Sequence, residues 1–241
     1  MKKFKLTSEF IVDISGVKLF RIKALIEFGN VKAGDLGGYI EKEENLSHMG
    51  DAWVSGDARI SGDAQVSGDA WVFGDAQVFG DAWVFGNARV FGVAWVFGNA
   101  RVSGNAQVFG NARVFGNARV FGNAWVSGNA RVSGDTQVFG DARVFGNAWV
   151  SGDAQVSGNA RVSGDARVSG DKDYAYAHGF GSCNRTTTFF RLKDGDVGVR
   201  CGCFYGTLAQ FRDKVCETHG ETKKAQEYLM LADLMEIRFK N

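Results

Sequence analysis

Proline is absent from this 241-residue chain, and histidine and cysteine occur only three and four times. Neither sign of charge dominates: 28 Lys and Arg stand against 27 Asp and Glu, so no charge excess points to nucleic acid or a membrane surface. No apolar run reaches the ~18–20 residues of a membrane-spanning helix. Lys2 and Lys3 are followed by no apolar core, which argues against secretion by a signal peptide. The cysteines, Cys183, Cys201, Cys203 and Cys216, all lie in the last quarter. That argues against a dense disulfide framework and makes a reduced, cytoplasmic chain the expectation. What is abundant is glycine, 33 residues, of which the 20 from Gly50 to Gly164 recur at a strict six-residue spacing. Periodic glycine without proline indicates a repeat fold rather than disorder.

Twenty hexads run without insertion from Gly50 to Ser169, reading Gly, Asp or Asn, Ala, variable, Val, then Ser or Phe. A period of six fits neither an α-helix nor a lone hairpin. It fits short strands in which Ala and Val, two residues apart, share one face, with Gly-Asp/Asn supplying the bend. One hexad buries too little to stand alone, so stacking must supply the core. Three hexads per turn close a triangle of about 18 residues and give about 6.7 coils, roughly 32 Å of stack at ~4.8 Å strand spacing. Ala and Val suit so narrow a prism.

The run Val-Ser/Phe-Gly-Asp/Asn-Ala-variable resembles the hexapeptide repeat of left-handed β-helices, which places an aliphatic residue first and a small one fifth. The left hand is implied by this resemblance alone. The expected fold is mainly β: a left-handed triangular β-helix over residues 50–170, an N-terminal β cap over 1–49 and a C-terminal ββαα cap over 171–241. In the first unit, Val17 to Ile26 reads as strand and Leu46-Ser47-His48-Met49 leads into the hexads. This part is similar to the YdcK group of bacterial hexapeptide proteins, often labelled transferases. Its Gly34-Asp35-Leu36-Gly37-Gly38 turn lacks the Lys-Ser/Thr of a phosphate loop and serves equally well as a turn. In the last unit, Thr186–Leu192 and Val197–Cys203 read as a hairpin around Lys193 to Asp196. Leu208–Thr218 and Glu221–Phe239 read as helices, the second with Ala225, Tyr228, Leu229, Ala232, Met235 and Phe239 on one face. The segments Thr186 to Phe190 and Cys201 to Phe204 are similar to uncharacterised phage and prophage proteins. This resemblance implies a mobile-element origin and, for a phage-encoded chain, the host cytoplasm. A β-helix end exposes strand edges, so both flanking units are expected to act as caps.

Hexapeptide acyltransferases use a histidine base and repeat-breaking loops, and the hexads contain neither. His48, His178 and His219 lie outside them, and a neighbouring subunit would have to bring His178 onto a coil face. No catalytic residue and no cofactor is therefore assigned, and a binding protein is expected rather than an enzyme. Cys201 and Cys203, with Cys183 or Cys216 and His219, have spacing open to zinc. The alternation of Val197, Val199, Cys201 and Cys203 favours core thiols, and no metal is assigned. Thr186, Thr187 and Thr188 are good strand formers, and Asp194 and Asp196 are turn residues.

The fourth hexad position should point outward. It holds nine Arg, five Gln and all six Trp. A coil of about 18 residues stacks Trp53 on Trp71, Trp83 on Arg101, Trp95 on Arg113 and Trp125 on Arg143, with Trp149 between Arg131 and Arg167; five of the six Trp gain an Arg neighbour. The sixth position holds ten Phe and ten Ser, with Ser dominating both ends. Phe occupies the middle coils: Phe73, Phe91 and Phe109 on one corner, Phe79, Phe97 and Phe115 on the next, and Phe85, Phe121 and Phe139 on the third. Rings lying outside would form an apolar belt too large for an ordinary monomer; rings lying flat in corner ladders would cover one another. The belt, with Trp83, Trp95, Arg101 and Arg113, is the candidate surface for a protein partner or self-association. Ten Asp against nine Arg in the hexads argue against nucleic acid. Val93 stands where the other hexads have Asp or Asn, and a β-branched residue at positive φ predicts a different or strained turn.

Overall fold

The structure, a computed structural model, describes residues 1–181 and 185–240. Strands β1 (Phe4–Val12), β2 (Lys18–Ala24) and β3 (Leu36–Ile40) precede one short strand per hexad, β4 (Trp53–Val54) to β23 (Arg167–Val168). Successive coils pair in parallel, Trp53 beside Trp71 and Val54 beside Val72, and so on along the stack. The strands form three stacks of ten, seven and six, a β-solenoid of about seven turns. The alanines and valines between strand bends face its axis and are fully buried, as the alternation requires. Thr136, standing in an Ala position, is buried as well. Its hydroxyl donates to the Ser133 carbonyl at 2.7 Å, so no polar atom is stranded.

Each corner turns on a glycine. Gly92 has φ 72°, and a Cβ on Gly74 would stand 3.1 Å from the Gly92 nitrogen of the next coil. The position thus excludes side chains both by conformation and by the coil spacing. The strain expected at Val93 is not there. The positive φ falls on Gly92, and the Val93 N–H reaches the Gly110 carbonyl at 2.9 Å, as the Asn105 N–H reaches Gly122 at 2.8 Å.

Between coils, Asp69, Trp71 and Phe73 donate their N–H groups to the carbonyls of Gly86, Ala88 and Val90 at 2.8, 2.9 and 3.0 Å. The same carbonyls in the first coil face the N-terminal end, and the same N–H groups in the last coil face the C-terminal end. At the first end the vacancies are filled by donors. Lys3 Nζ donates to Gly50 and Ala52 at 3.1 and 2.8 Å. Asn45 Nδ2 donates to Gly62 and Ala64 at 3.0 and 2.9 Å. On the remaining face β3 pairs in parallel with Arg59–Ile60, so β1, β2 and β3 extend the ten-stranded stack and the cap is continuous with the solenoid. The cap covers Trp53, which is buried against the edge of Phe28 at 5.4 Å and so breaks the outward rule for its position. Gly37 and Gly38 lie in β3; a Cβ on Gly37 would meet the Val54 carbonyl at 2.6 Å, so that glycine is set by close packing rather than by phosphate.

At the second end the vacancies are filled by acceptors. Gln155 N–H donates to Asp171 Oδ1 at 2.8 Å, Arg161 N–H to Thr188 Oγ1 at 2.9 Å and Ser169 N–H to Asp173 Oδ2 at 2.9 Å. The C-terminal unit holds more strand than the sequence predicts. The expected hairpin is present as β25 (Arg185–Arg191) and β26 (Val197–Cys201), flanked by β24 (Tyr174–Phe180) and β27 (Phe204–Thr207) in one antiparallel sheet. The order is therefore ββββαα, with α1 (Leu208–His219) and α2 (Lys223–Phe239) behind it. Strand alternation on β25 couples the parts: Phe190 joins the solenoid core and Phe189 joins the core under the helices. Ala225, Tyr228, Ala232, Met235 and Phe239 are buried on α2, with Leu229 partly buried. Among the described residues no helix is long and apolar enough to cross a membrane.

Candidate functional site

The outer columns follow the coil register. Arg113 lies 4.9 Å over Trp95, Arg101 5.4 Å over Trp83 and Arg143 4.5 Å over Trp125, while Arg131 and Arg167 each lie 5.9 Å from Trp149 on opposite sides. Each contact sits one coil step away in the stack, so coil spacing itself sets the cation–π distance; at exposed sites each contributes about 0.5–1 kcal/mol. Trp149 Nε1 also donates to Ser133 Oγ at 3.2 Å.

The phenylalanines stack. Phe73, Phe91 and Phe109 are spaced 4.8 and 4.9 Å with rings parallel to within 2°. Phe79, Phe97 and Phe115 are spaced 4.9 and 5.0 Å, and Phe121 lies 5.0 Å from Phe139. Every ring in these ladders is half-buried, because each covers a face of the next. The second of the two arrangements open to the sequence is the one present: corner ladders, with ring edges showing as stripes, in place of a free apolar belt. Phe85 stands alone beneath Ser103, and Phe145 carries Arg200 at 5.5 Å instead of a ring.

The candidate residues do not form one patch. Phe79 and Phe97 pair within the ten-stranded face, where Trp95 and Arg113 also pair, and Phe115 continues their ladder. Phe73, Phe91 and Phe109 follow strands of the seven-stranded face, and Trp83, Arg101, Phe85 and Phe121 belong with the six-stranded one. Two faces join ladder, indole and guanidinium directly. On the first the Trp95 ring meets the Phe79 ring edge-on at 6.1 Å and carries Arg113 on top, and on the seven-stranded face Trp125 does the same between Phe109, at 6.1 Å, and Arg143. Polar stripes run beside the ladders. Asn111, Asn129 and Asn147 pass a side-chain hydrogen bond from coil to coil at 3.2, 3.1 and 3.3 Å, ending on Asp165. Asn117 and Asn123 likewise end on Asp135 and Asp141.

The residues weighed for chemistry are dispersed. His48 stacks on Phe4 at 4.4 Å in the N-terminal cap, and His219 ends α1. His178 is placed differently from expectation: β24 brings it to the coil face within the same chain, where it lines a cleft with Asp141, Arg143 and Arg161. Cys201 is half-buried, its Sγ accepting from Thr187 Oγ1 at 3.2 Å, while Cys203 is exposed beyond the end of β26 and does not continue the core alternation. Cys183 lies outside the described residues. Among the described residues no three His, Cys, Asp or Glu side chains converge. Thr187 and Thr188 are buried in β25, Thr188 as a cap acceptor. Burial pulls the Lys3 ammonium down to about 8, against the opposing pull of Asp51 and Asp69.

These features define the class: a hexapeptide-type β-solenoid, capped at both ends, with stacked aromatic and Trp–Arg columns outside. Segments of it match the family described as YdcK Beta solenoid repeat, at residues 52–68, 94–110, 106–120, 112–128, 124–138, 136–152 and 154–171. The match falls within the solenoid, and this repeat is what the chain is similar to. No curated protein matches it.

Proposed function

We propose that the chain is a non-catalytic scaffold that binds a protein partner through the ten-stranded face of its solenoid. One observation carries this reading: Phe79, Phe97 and Phe115 form a continuous half-exposed ladder joined to Trp95 and Arg113 on a rigid surface. Aromatic rings and arginine, already fixed by stacking, lose little entropy on binding and are the residue types that dominate interface energy. The prophage-like segments of the tail favour a host cytoplasmic protein as the partner and inhibition of that protein as the outcome; the left hand of the winding belongs to the same set of resemblances.

The test compares the wild type with Phe97→Ser/Phe115→Ser, in which the new residue is one that the same column carries at Ser133. Affinity capture from host lysate and native mass measurement should show one stoichiometric partner, or a second copy, lost in the variant while its unfolding remains cooperative. Equal capture by both proteins refutes docking on this face. A second reading, acyl transfer from an acyl-CoA, gains one observation, the placing of His178 on a coil face within the chain. Release of free CoA thiol from acetyl-CoA in the presence of an amine or hydroxyl acceptor decides it: release abolished by His178→Ala favours transfer, and its absence counts against it.

A further inference from the structure

Where the C-terminal sheet folds back against the solenoid, arginines gather from both. Arg143 and Arg161 are register partners on successive coils. Arg185 opens β25, and with them it lines a cleft of about 470 Å³ that also takes in His178 and Thr186. Arg200, on β26, stands close enough for its charge to act on Arg161.

Stacking and backbone contacts hold these groups. Arg143 rests on the Trp125 ring at 4.5 Å and Arg200 on the Phe145 ring at 5.5 Å. The backbone of Arg161 is fixed by Thr188 at 2.9 Å, and His178 Nδ1 is tied to Thr186 Oγ1 at 2.9 Å. Among the described residues none of the four arginines forms an ion pair. One carboxylate, Asp141, lines the cleft, and its Oδ1 already accepts from Asn123 at 3.0 Å. The Nε of Arg200 is buried without a partner. Burial first, then the like charges of Arg143, Arg200 and Arg185, lower the pKa of Arg161. Positive charge is therefore concentrated and positioned by aromatic and backbone contacts, with four arginines against the single Asp141 carboxylate, which forms no ion pair with any of them.

We propose that this cleft binds the phosphoryl group of a small phosphorylated molecule, held by Arg143, Arg161 and Arg185. The guanidinium fork matches phosphoryl oxygens in pairs, and the cleft has the size of a small-molecule site. The cleft opens on the seven-stranded side, so the proposal stands apart from partner docking through Phe97.

Thermal unfolding and calorimetry with inorganic phosphate test it, ionic strength being held constant with chloride. Phosphate should raise the melting temperature and bind with a Kd of about 1 mM or tighter. Arg185→Gln, a change at an exposed strand start, should weaken binding by about tenfold or more, because one charge-assisted pair is lost. Arg161→Gln should do the same, and Arg59→Gln, far along the stack, should change nothing. A sugar phosphate should compete with phosphate, and the unphosphorylated sugar should not. The proposal is overturned if phosphate acts no differently from chloride, or if Arg185→Gln binds it unchanged. It is equally overturned if a single-stranded oligonucleotide binds far more tightly than a mononucleotide with a steep salt dependence, which would assign the cleft to a nucleic-acid backbone.

Discussion

The two ends of the solenoid face the same deficit with opposite chemistry. A stack in which each coil donates forward leaves carbonyls bare at its start and N–H groups bare at its finish, and buried backbone groups of either kind must be paired. The N-terminal cap answers with donors, Lys3 and Asn45, each spanning two carbonyls. The C-terminal cap answers with acceptors, Asp171, Asp173 and Thr188, each taking one coil N–H. The caps are therefore not interchangeable lids. Each is written for the polarity of its own end, and a single donor at the start carries twice the backbone load of a single acceptor at the finish.

That asymmetry sets the largest expected effect. Asn45→Leu fills similar volume but strands the carbonyls of Gly62 and Ala64 beneath a fully buried side chain, and also takes from the part-buried Lys42 N–H the Oδ1 that accepts it at 2.9 Å. At ~1–3 kcal/mol for each unsatisfied group, the loss should be about 4 kcal/mol. Thr188→Val, nearly isosteric at the other end, strands only the Arg161 N–H and should cost about 2 kcal/mol. Urea unfolding of the pair measures both. Equal losses at the two ends would break the comparison.

Lys3 sharpens it through pH. Its ammonium is almost wholly buried and its pKa is lowered to about 8 from 10.5, burial outweighing Asp51 and Asp69. Between pH 8 and 10.5 the folded chain has released a proton that the unfolded chain still holds, so stability rises with pH across that window. The gain is on the order of 2–3 kcal/mol. A neutral amine keeps two hydrogens, enough for Gly50 and Ala52, so the cap survives the loss of charge. The difference in unfolding free energy between wild type and Lys3→Met, followed from pH 7.5 to 10.5, should grow by that amount. A flat difference would mean that Lys3 titrates as an ordinary surface lysine.

The regular middle was legible in the sequence because one spacing determines everything there. Six residues to a strand and bend place Ala and Val inward, and the three-hexad coil then puts Arg113 over Trp95 and Phe97 over Phe79 without further information. The ends were not legible, because their contacts join residues unrelated by any period. Nothing in Met-Lys-Lys marks Lys3 as the donor that closes a coil beginning at Gly50. Strand β24 was missed because Tyr174 to Phe180 includes Gly179 and follows directly on the repeat, and β27 because Phe204 to Thr207 is short and leads straight into α1. The arginine cleft shows both regimes. Register alone gives Arg143 beside Arg161, but the arrival of Arg185 and His178 depends on a sheet folding back, which only tertiary packing reveals.

The smallest effect concerns the middle itself, at the one hexad where the polar stripe is broken. Val93 is half exposed and stands one coil before Asn111, which begins the ladder through Asn129 and Asn147 to Asp165. Its turn is ordinary, so relief of strain gives no reason for Val93→Asn to stabilise the protein. The ladder does: a new Asn Nδ2 reaches Asn111 Oδ1 at the spacing its neighbours already use, and an exposed apolar side chain is removed. An exposed hydrogen bond of this kind adds about 0.5 kcal/mol, a rise of about 1–2 °C in melting temperature for a chain of this size. Val93→Ala separates the two contributions, since it removes the apolar surface without supplying the amide. If the alanine variant melts as high as the asparagine one, side-chain ladders add nothing along the stack. Stability in the middle then rests on the buried Ala and Val and the backbone bonds alone, and the ends are the only places where individual polar side chains decide it.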